Sequence, residues 1–195
     1  MCGRPKLSNR NSKPILEKEY QVMKSYINGL ETFETTKTKW IRTIELLYVC
    51  GLRLSEIIDI KIKDIKNGIE KSELSVFIKK QKIIRHIPLS QKSISTLKRL
   101  IKNENDDDTY FIHKRNNKKC KLNSNSFTKE FNDLLQLVLG NEYSSHSFRK
   151  GLITQMSMIG INPRITQSFI GHKNVTTTLN YYKPTIEDVR ECLVR

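Results

Sequence analysis

The stretch GHKNVTTTLNYY ends in two adjacent tyrosines that stand nine and ten residues after His172. Upstream, His146 and Arg149 lie three residues apart, and Arg53 follows a Gly-Leu pair. An imidazole can take or give a proton near neutral pH, and a guanidinium is a permanently charged donor suited to phosphate. A phenol becomes a good nucleophile once its proton is removed. Together these side-chain types favour chemistry on a phosphate group.

Each of these side chains also has a structural interpretation when it is taken alone. Arg53 is then an exposed residue at a helix start, because arginine is mostly a surface residue. His146 and Arg149 are then a pair on one helix face, and His172 is a hydrogen-bonded core histidine. The tyrosines are then packing aromatics. The functional interpretation is favoured because all of these residues occur in one chain, each beside a turn or a helix start.

The distribution of charge points to a polyanionic partner. The chain has 35 Lys+Arg against 20 Asp+Glu, a net charge of +15 and a pI near 9.7. No carboxylate occurs in residues 74–103 or in residues 143–186, although both windows hold several lysines and arginines. A protein that binds phosphate needs segments free of negative charge. The alternative interpretation of these segments is a basic surface exposed to solvent. We therefore predict a nucleic-acid partner.

The sequence predicts an intracellular protein without a membrane span, a metal or a cofactor. No apolar run approaches the roughly 18 residues of a spanning helix, and the basic, polar start is unlike a secretory signal. No CxxC, HExxH, GxxxxGK[ST] or GxGxxG pattern occurs. The cysteines are scattered through the chain, at Cys2, Cys50, Cys120 and Cys192.

The elements that must position these side chains are mainly helical. Apolar spacing predicts a helix between Ile15 and Leu30, and a second one that Gly51 ends. Ser55 is expected to cap a helix over EIIDIKIKDI, and Asn67-Gly68 is expected to form a turn. SELSVFI and KIIRHIPL then predict two short strands joined by a lysine-rich connection.

More helices follow the predicted strands. They are expected at residues 90–101, over NSNSFTKEFNDLLQLVL, over HSFRKGLITQMSMIG after a serine cap, and over RITQSFIG after Pro163. The threonines 176–178 can cap a short helix that Pro184 closes, with the two tyrosines on it. The pattern predicts an α+β fold, mainly α, with a small antiparallel β-sheet packed against helices. Residues 1–13 are expected to form a basic flexible tail.

Four sequence boxes resemble the catalytic domain of the tyrosine recombinase, or phage integrase, family. LLYVCGLRLSEIIDIKIKDI is similar to the box of the first arginine, and IKKQKIIRHIPL to the hairpin that carries a lysine. HSFRKG resembles the His-x-x-Arg box, and FIGHKNVTTTLNYY resembles the box that leads to the nucleophile. The resemblance runs from about residue 15 to about residue 188 and implies the tyrosine recombinase catalytic-domain fold.

The resemblance also implies roles for individual residues. Two arginines would grip the scissile phosphate, two histidines would assist, a lysine would protonate the leaving oxygen and a tyrosine would attack; these are Arg53, Arg149, His146, His172, Lys80 and Tyr181. Nearby cations are expected to contact DNA, namely Lys79, Lys82, Arg85, Lys150 and Lys173. Arginines would take the place of metal ions, and no cofactor is implied.

Two of these assignments stay open at this point. Lys82 is an alternative to Lys80, because Lys-Lys-Gln stands where the family commonly has Gly-Lys-Gly. Tyr182 is an alternative to Tyr181, and neighbouring residues on a helix point about 100° apart, so one phenol alone can face the phosphate.

The resemblance implies a site-specific DNA recombinase that works through a covalent 3′-phosphotyrosyl intermediate, in integration, excision, inversion or resolution. Its partners would be double-stranded DNA with paired recombination sites and further copies of the chain in a tetramer. It would be DNA-associated in the cytoplasm, the nucleoid or an organelle. A DNA nicking-resealing topoisomerase and a non-catalytic DNA-binding protein are the alternatives.

We expect residues 14–195 to form a single catalytic domain. Family members usually carry a separate N-terminal core-binding domain, and none is expected here, since only about fourteen residues precede the first predicted helix. The final stretch TIEDVRECLVR predicts an amphipathic helix that docks either on a neighbouring subunit or on its own domain.

Overall fold

The computed structural model describes residues 12–79, 82–172, 174–182 and 190. Within these residues the chain is mainly helical with one small antiparallel sheet, as predicted. The elements are α1 (Glu17–Gly29), α2 (Glu34–Cys50), α3 (Leu54–Ile57), α4 (Ile62–Lys71), β1 (Glu73–Ile78), β2 (Ile83–Pro88), α5 (Gln91–Ile101), α6 (Ser124–Leu139), α7 (Ser145–Met158), α8 (Pro163–Ile170) and α9 (Thr176–Leu179).

Helix α2 lies at the centre of the core, in contact with α1, α5 and α7. Its Trp40 stacks on Phe127 and Phe131 of α6, with ring centroids 5.7 and 5.8 Å apart. Phe131 in turn lies 6.1 Å from Phe148 of α7. Each such pair adds about 0.5–1.5 kcal/mol beyond the burial of apolar area. The aromatic cluster therefore fixes the start of α7 relative to α2.

Gly51 ends α2 in a left-handed conformation, with φ of +55°. A Cβ at this position would lie 2.7 Å from Cδ2 of Leu152 on α7. Glycine alone tolerates both the positive φ and this close approach without strain. The chain can thus turn sharply from the core helix into Arg53.

Gly151 allows the N-terminal segment to cross α7. A Cβ there would lie 1.8 Å from the carbonyl oxygen of Ile15, and the Ile15 N–H donates to the Ser147 carbonyl at 2.9 Å. The adjoining Ser12 is buried, and the Lys13 N–H donates to the Glu142 carbonyl at 2.9 Å. Ser12 and Lys13 therefore contact the domain, although both belong to the predicted flexible tail. Residues 1–11 of that tail lie outside the described residues.

The two strands pair in antiparallel register, with Val76 opposite Arg85 and Phe77 opposite Ile84. Alternate residues of each strand point to the helices, as the period of two requires. On β1 the inward face is apolar and includes Val76, whereas on β2 it includes Arg85 and Ile87. The sheet thus buries one arginine among apolar side chains.

The helix predicted over EIIDIKIKDI is wrong in its limits. The structure has a single turn, α3, and a new helix, α4, that starts at Ile62. Between them, the carbonyl of Ile60 accepts from Phe111 N–H at 2.8 Å, and Ile62 N–H donates to Thr109 at 2.9 Å. The TYFI segment, residues 109–112, therefore breaks the helix through backbone hydrogen bonds.

The turn predicted at Asn67-Gly68 is also wrong, because α4 continues through both residues to Lys71. Gly68 is buried there, and a Cβ on it would lie 3.2 Å from Cδ1 of Leu74. The chain turns instead at Ser72, which has a φ of 53°. The predicted amphipathic helix TIEDVRECLVR lies outside the described residues, apart from Arg190.

Candidate catalytic cleft

One cleft of about 520 Å³ opens where α3, α7 and the α8–α9 segment meet. It brings together five of the six predicted catalytic residues: Arg53, His146, Arg149, His172 and Tyr181. They come from three distant parts of the sequence. The wall is completed by Ser12, Asn132, Ser144, Lys150, Ile153 and Thr177. The sixth, Lys80, lies outside the described residues.

The ends of two helices hold the guanidinium of Arg149. Its side chain is 5% exposed, and Nη1 donates to the Gly51 carbonyl at 2.9 Å while Nη2 donates to the Ile170 carbonyl. Burial, and then the charges of Arg53 and Arg85, lower the pKa of Arg149 to about 9. Since this value lies above neutral pH, the group keeps its charge at the floor of the cleft.

The Glu56 carboxylate fixes Arg53 from the adjoining turn of α3. Glu56 accepts from Nη1 of Arg53 at 2.6 Å and from its backbone N–H at 2.9 Å. The carboxylate is almost fully buried, whereas the Arg53 side chain is about one third exposed. The guanidinium is thus tied on one side and open to the cleft on the other.

His146 lies in the first turn of α7, where Ser144 is the N-cap. Although its side chain is exposed to the cleft, desolvation lowers its pKa below the ordinary 6.5, and the charges of Arg149, Arg53 and Lys150 lower it further. The imidazole is therefore neutral at neutral pH, and a neutral imidazole can accept a proton.

His172 follows α8 and faces the cleft at half burial. Its Nδ1 lies 2.9 Å from Oγ1 of Thr178, which is fully buried. Burial lowers its pKa to about 4, with further effects from Arg149 and Arg53. If Nδ1 accepts from the threonine hydroxyl, the proton of the neutral ring is on Nε2 and the ring can donate from there.

The two tyrosines occupy different environments. Tyr181 lines the cleft at half burial, and its backbone carbonyl accepts from Oγ of Ser157 at 2.7 Å. The Tyr182 hydroxyl lies 2.5 Å from Oγ1 of Thr166, a buried residue of α8. Burial raises the pKa of Tyr181, although Arg149 partly offsets that rise. Tyr181 is thus the phenol beside the arginines and histidines.

The cations predicted as DNA contacts do not share one environment. Lys79 is exposed and pairs with Asp59 at 2.7 Å, and Lys82 is exposed with a φ of 54°. Lys150 lines the cleft and donates to the Ser12 carbonyl at 2.8 Å. Lys173 lies outside the described residues.

The prediction for Arg85 does not fit the structure. The side chain is 6% exposed and donates to the carbonyls of Ile170 and Cys50 at 2.9 and 3.1 Å. A guanidinium in this position has no open path to a duplex. Position in a carboxylate-free window does not indicate exposure, and strand alternation places this residue on the inward face.

Sequence reasoning missed several residues that shape the cleft. Ser157 and Thr166 hold the segment of the two tyrosines, and Asn132 accepts from the Ser145 N–H at 2.8 Å. Glu56 could have been found, because it belongs to the box LLYVCGLRLSEIIDIKIKDI. The others come from helices whose relative placement the sequence does not reveal.

The described residues hold neither a cluster of metal ligands nor a membrane-spanning helix. Among residues 12–79, 82–172, 174–182 and 190, no group of three His, Cys, Asp or Glu side chains is placed to hold a metal ion. In the same part of the chain, no helix combines the length and apolarity needed to cross a bilayer.

Both the sequence and the fold are similar to those of known proteins. The sequence profile described as the phage integrase family matches residues 8–187. The chain is 32% identical over 193 residues to tyrosine recombinase XerA of Pyrococcus horikoshii, covering 97% of this chain and 63% of that protein. It is 27% identical over 192 residues to tyrosine recombinase XerC of Rickettsia bellii, covering 97% and 62%. The chain thus spans less than two thirds of these relatives.

Two solved structures show the same fold. The Tn1549 transposon integrase in complex with circular intermediate DNA superposes with a TM-score of 0.72 at 23% identity, covering 92% of this chain and 66% of that one. The XerH site-specific recombinase bound to difH substrate gives 0.69 at 16% identity, covering 93% and 53%. These likenesses confirm the predicted fold.

Proposed function

The chain belongs to the phage integrase family, and from that premise we propose that it is a site-specific recombinase that cleaves and rejoins strands of duplex DNA. The observation that carries the proposal is the convergence of Arg53, His146, Arg149 and His172 around Tyr181 in one cleft. A cleft of this composition suits one phosphodiester, because its cations and donors surround Tyr181, the one phenol that lines it among the described residues.

The proposed reaction begins with attack of the Tyr181 phenolic oxygen on the phosphorus of the scissile bond. The new O–P bond forms as the bond to the 5′ oxygen breaks, and a 3′-phosphotyrosyl link results. His146 accepts the phenolic proton, since its lowered pKa keeps it neutral and ready as a base. The departing 5′ oxygen requires a proton, and Lys80 is the residue we propose as its source.

Charge stabilisation falls to the remaining side chains. The transition state places extra negative charge on the two nonbridging oxygens, and planar guanidinium groups donate to both. Arg53 and Arg149 would make these contacts, and Nε2 of His172 would add a further donor. Because the donors are held by Glu56 and by backbone carbonyls before DNA arrives, little reorganisation is needed.

The covalent intermediate also accounts for strand rejoining. The phosphotyrosyl bond retains the free energy of the broken strand, so a 5′-hydroxyl from a second duplex can attack it without ATP. Joining two duplexes requires several active sites, and we therefore propose paired sites on DNA and a tetramer. We further propose that Lys79, Lys82, Lys150 and Lys173 contact the phosphate backbone and that residues 14–195 form the catalytic domain.

A suicide-substrate trap tests this proposal. We expect the chain, mixed with nicked duplex DNA that loses its short 5′-hydroxyl fragment on cleavage, to form an adduct that resists SDS. Tyr181→Phe should abolish the adduct, and Tyr182→Phe, the matched control, should retain it, because its hydroxyl is engaged with Thr166. Adduct formation by Tyr181→Phe at the wild-type rate would refute the assignment.

Substitution of either arginine separates the contribution to cleavage from the contribution to DNA affinity. Arg53→Ala and Arg149→Ala should each lower the cleavage rate by about 10²-fold or more, as loss of other transition-state donors does. Binding of both variants to DNA in a gel-shift assay should persist.

A plasmid-relaxation assay separates the two reaction classes. A topoisomerase would relax plasmid DNA without any special site, whereas a recombinase requires paired sites.

A further inference from the structure

Arg85 links three separate parts of the fold behind the cleft. It lies on β2, and its guanidinium donates to the carbonyl of Cys50, at the end of α2, and to the carbonyl of Ile170, at the end of α8. The C-terminal carbonyls of a helix carry its negative dipole end and lack partners within the helix. One buried cation thus satisfies the ends of two helices at once.

The same carbonyl groups hold Arg149. Ile170 accepts from both Arg85 and Arg149, and Arg149 also donates to Gly51, the residue next to Cys50. The two guanidinium groups are close enough that the charge of Arg85 contributes to the lowered pKa of Arg149. Movement of Arg85 would therefore shift the two carbonyls between which Arg149 is held.

His172 depends on the same junction. Gly171 ends α8 with a left-handed φ of 74°, and His172 is the next residue. The position of the Ile170 carbonyl therefore fixes the direction in which the chain leaves α8 toward His172. Arg85 is not among the described residues that line the cleft, yet it contacts the backbone on which two of them depend.

We propose that Arg85 is a positioning residue of the recombination reaction, which holds the ends of α2 and α8 so that Arg149 and His172 meet the scissile phosphate in register. This inference rests on the proposed function. The positioning role takes the place of the DNA contact that was expected of Arg85 because of its charge. Only arginine meets the requirement, since a planar fork can donate to two separate carbonyls, whereas a lysine ammonium is a point charge on a flexible stem.

The experiment compares Arg85→Lys with a matched control, Arg42→Lys. Arg42 is also buried, at 3% exposure, and also bridges two carbonyls, those of Phe111 and Leu100. In both arginines Nε has no hydrogen-bond partner among the described residues. Arg42 lines a different cavity, between α2 and α5, and so reports the cost of altering a buried arginine away from the proposed catalytic residues.

The readouts are the single-turnover cleavage rate at saturating suicide DNA, the DNA dissociation constant and the melting temperature. We expect Arg85→Lys to slow cleavage by about 10- to 100-fold, the loss that a displacement of order 1 Å causes, with the dissociation constant within about twofold. Arg42→Lys should lower the melting temperature at least as much yet cleave at the wild-type rate where it is folded. Should Arg85→Lys not fold, Arg85→Met retains the volume without the charge and is measured in its place.

The outcomes separate this inference from the function on which it rests. A wild-type adduct together with full-rate cleavage by the Arg85 variant would overturn the inference alone. So would a rate loss of equal size in Arg42→Lys, because general destabilisation would then explain both. Absence of any adduct from the wild-type chain would overturn the proposed function and this inference with it.

Discussion

His146 and Tyr181 have pKa values displaced in opposite directions, as proton transfer between them requires. Burial raises the pKa of the Tyr181 phenol, whereas desolvation and the charges of Arg149, Arg53 and Lys150 lower that of His146. Near neutral pH the phenol is therefore protonated and the imidazole is free to accept its proton. These pKa values favour the protonated phenol and the neutral imidazole over the pair after proton transfer. The cations of the cleft must therefore stabilise the negative charge that develops on the phosphate.

The pH dependence of cleavage follows from this pair. Because the folded-state pKa of His146 lies below 6.5, the base form persists through neutral pH and is lost only as the pH falls further. We expect single-turnover rates between about pH 5 and 8 to be level near neutrality and to decline on the acid side. His146→Gln should be slow and should lack the acid decline. An acid decline that persists in His146→Gln would assign the proton acceptor elsewhere.

Helix α7 is the element on which the cleft is built, because it carries His146 and Arg149 and also supports the segment that leads from Ser12 to Ile15. Gly151→Ala would place a methyl group against the Ile15 carbonyl, where a Cβ is only 1.8 Å away. We expect a loss of about 1–3 kcal/mol or more in the free energy of unfolding, as for other overpacked sites.

Urea unfolding measures this loss, and Gly29→Ala is the control. Gly29 is the last residue of α1, and a Cβ there would meet nothing within 4 Å. Its substitution should leave stability unchanged or raise it by about 1 kcal/mol or less. Equal effects of the two substitutions would show that the crossing of α7 by the N-terminal segment does not constrain residue 151.

The elements predicted correctly are those that local chemistry specifies. Gly51 after the apolar stripe of α2 and Pro163 at the start of α8 both act within a few residues, and both limits were confirmed. The prediction of a single helix after Arg53 was wrong, because the backbone of that segment forms hydrogen bonds with residues 109–111, about fifty positions away. Local patterns do not reveal such a partner.

The proposed catalytic residues were identified from sequence boxes, and their convergence in one cleft agrees with that assignment. What the boxes did not contain was the support behind them. Arg85 contacts carbonyls 35 and 85 positions away, and Ser157 holds Tyr181 from 24 positions away. Those contacts exist only after α2, α7 and α8 have packed, and the residue types alone gave no sign of them.

The charge of the whole molecule predicts how DNA affinity depends on salt. With a net charge of +15, most affinity should come from distributed phosphate contacts, each of which releases counterions. We expect duplex affinity to fall by about 10³-fold or more between 50 and 200 mM salt, if six or more phosphates are contacted. Arg149→Ala should change the salt slope by at most one contact. A salt-independent affinity would contradict this view of the basic surface.

Identification of the residue that becomes joined to DNA tests the central claim most directly. The trapped adduct would be digested with nuclease and protease, and the peptide that carries the nucleotide would be sequenced by mass spectrometry. A nucleotide on the oxygen of Tyr181 is the result we expect, since that phenol lines the cleft with Arg53, His146, Arg149 and His172. A nucleotide on Tyr182, or on any residue outside this cleft, would contradict the account.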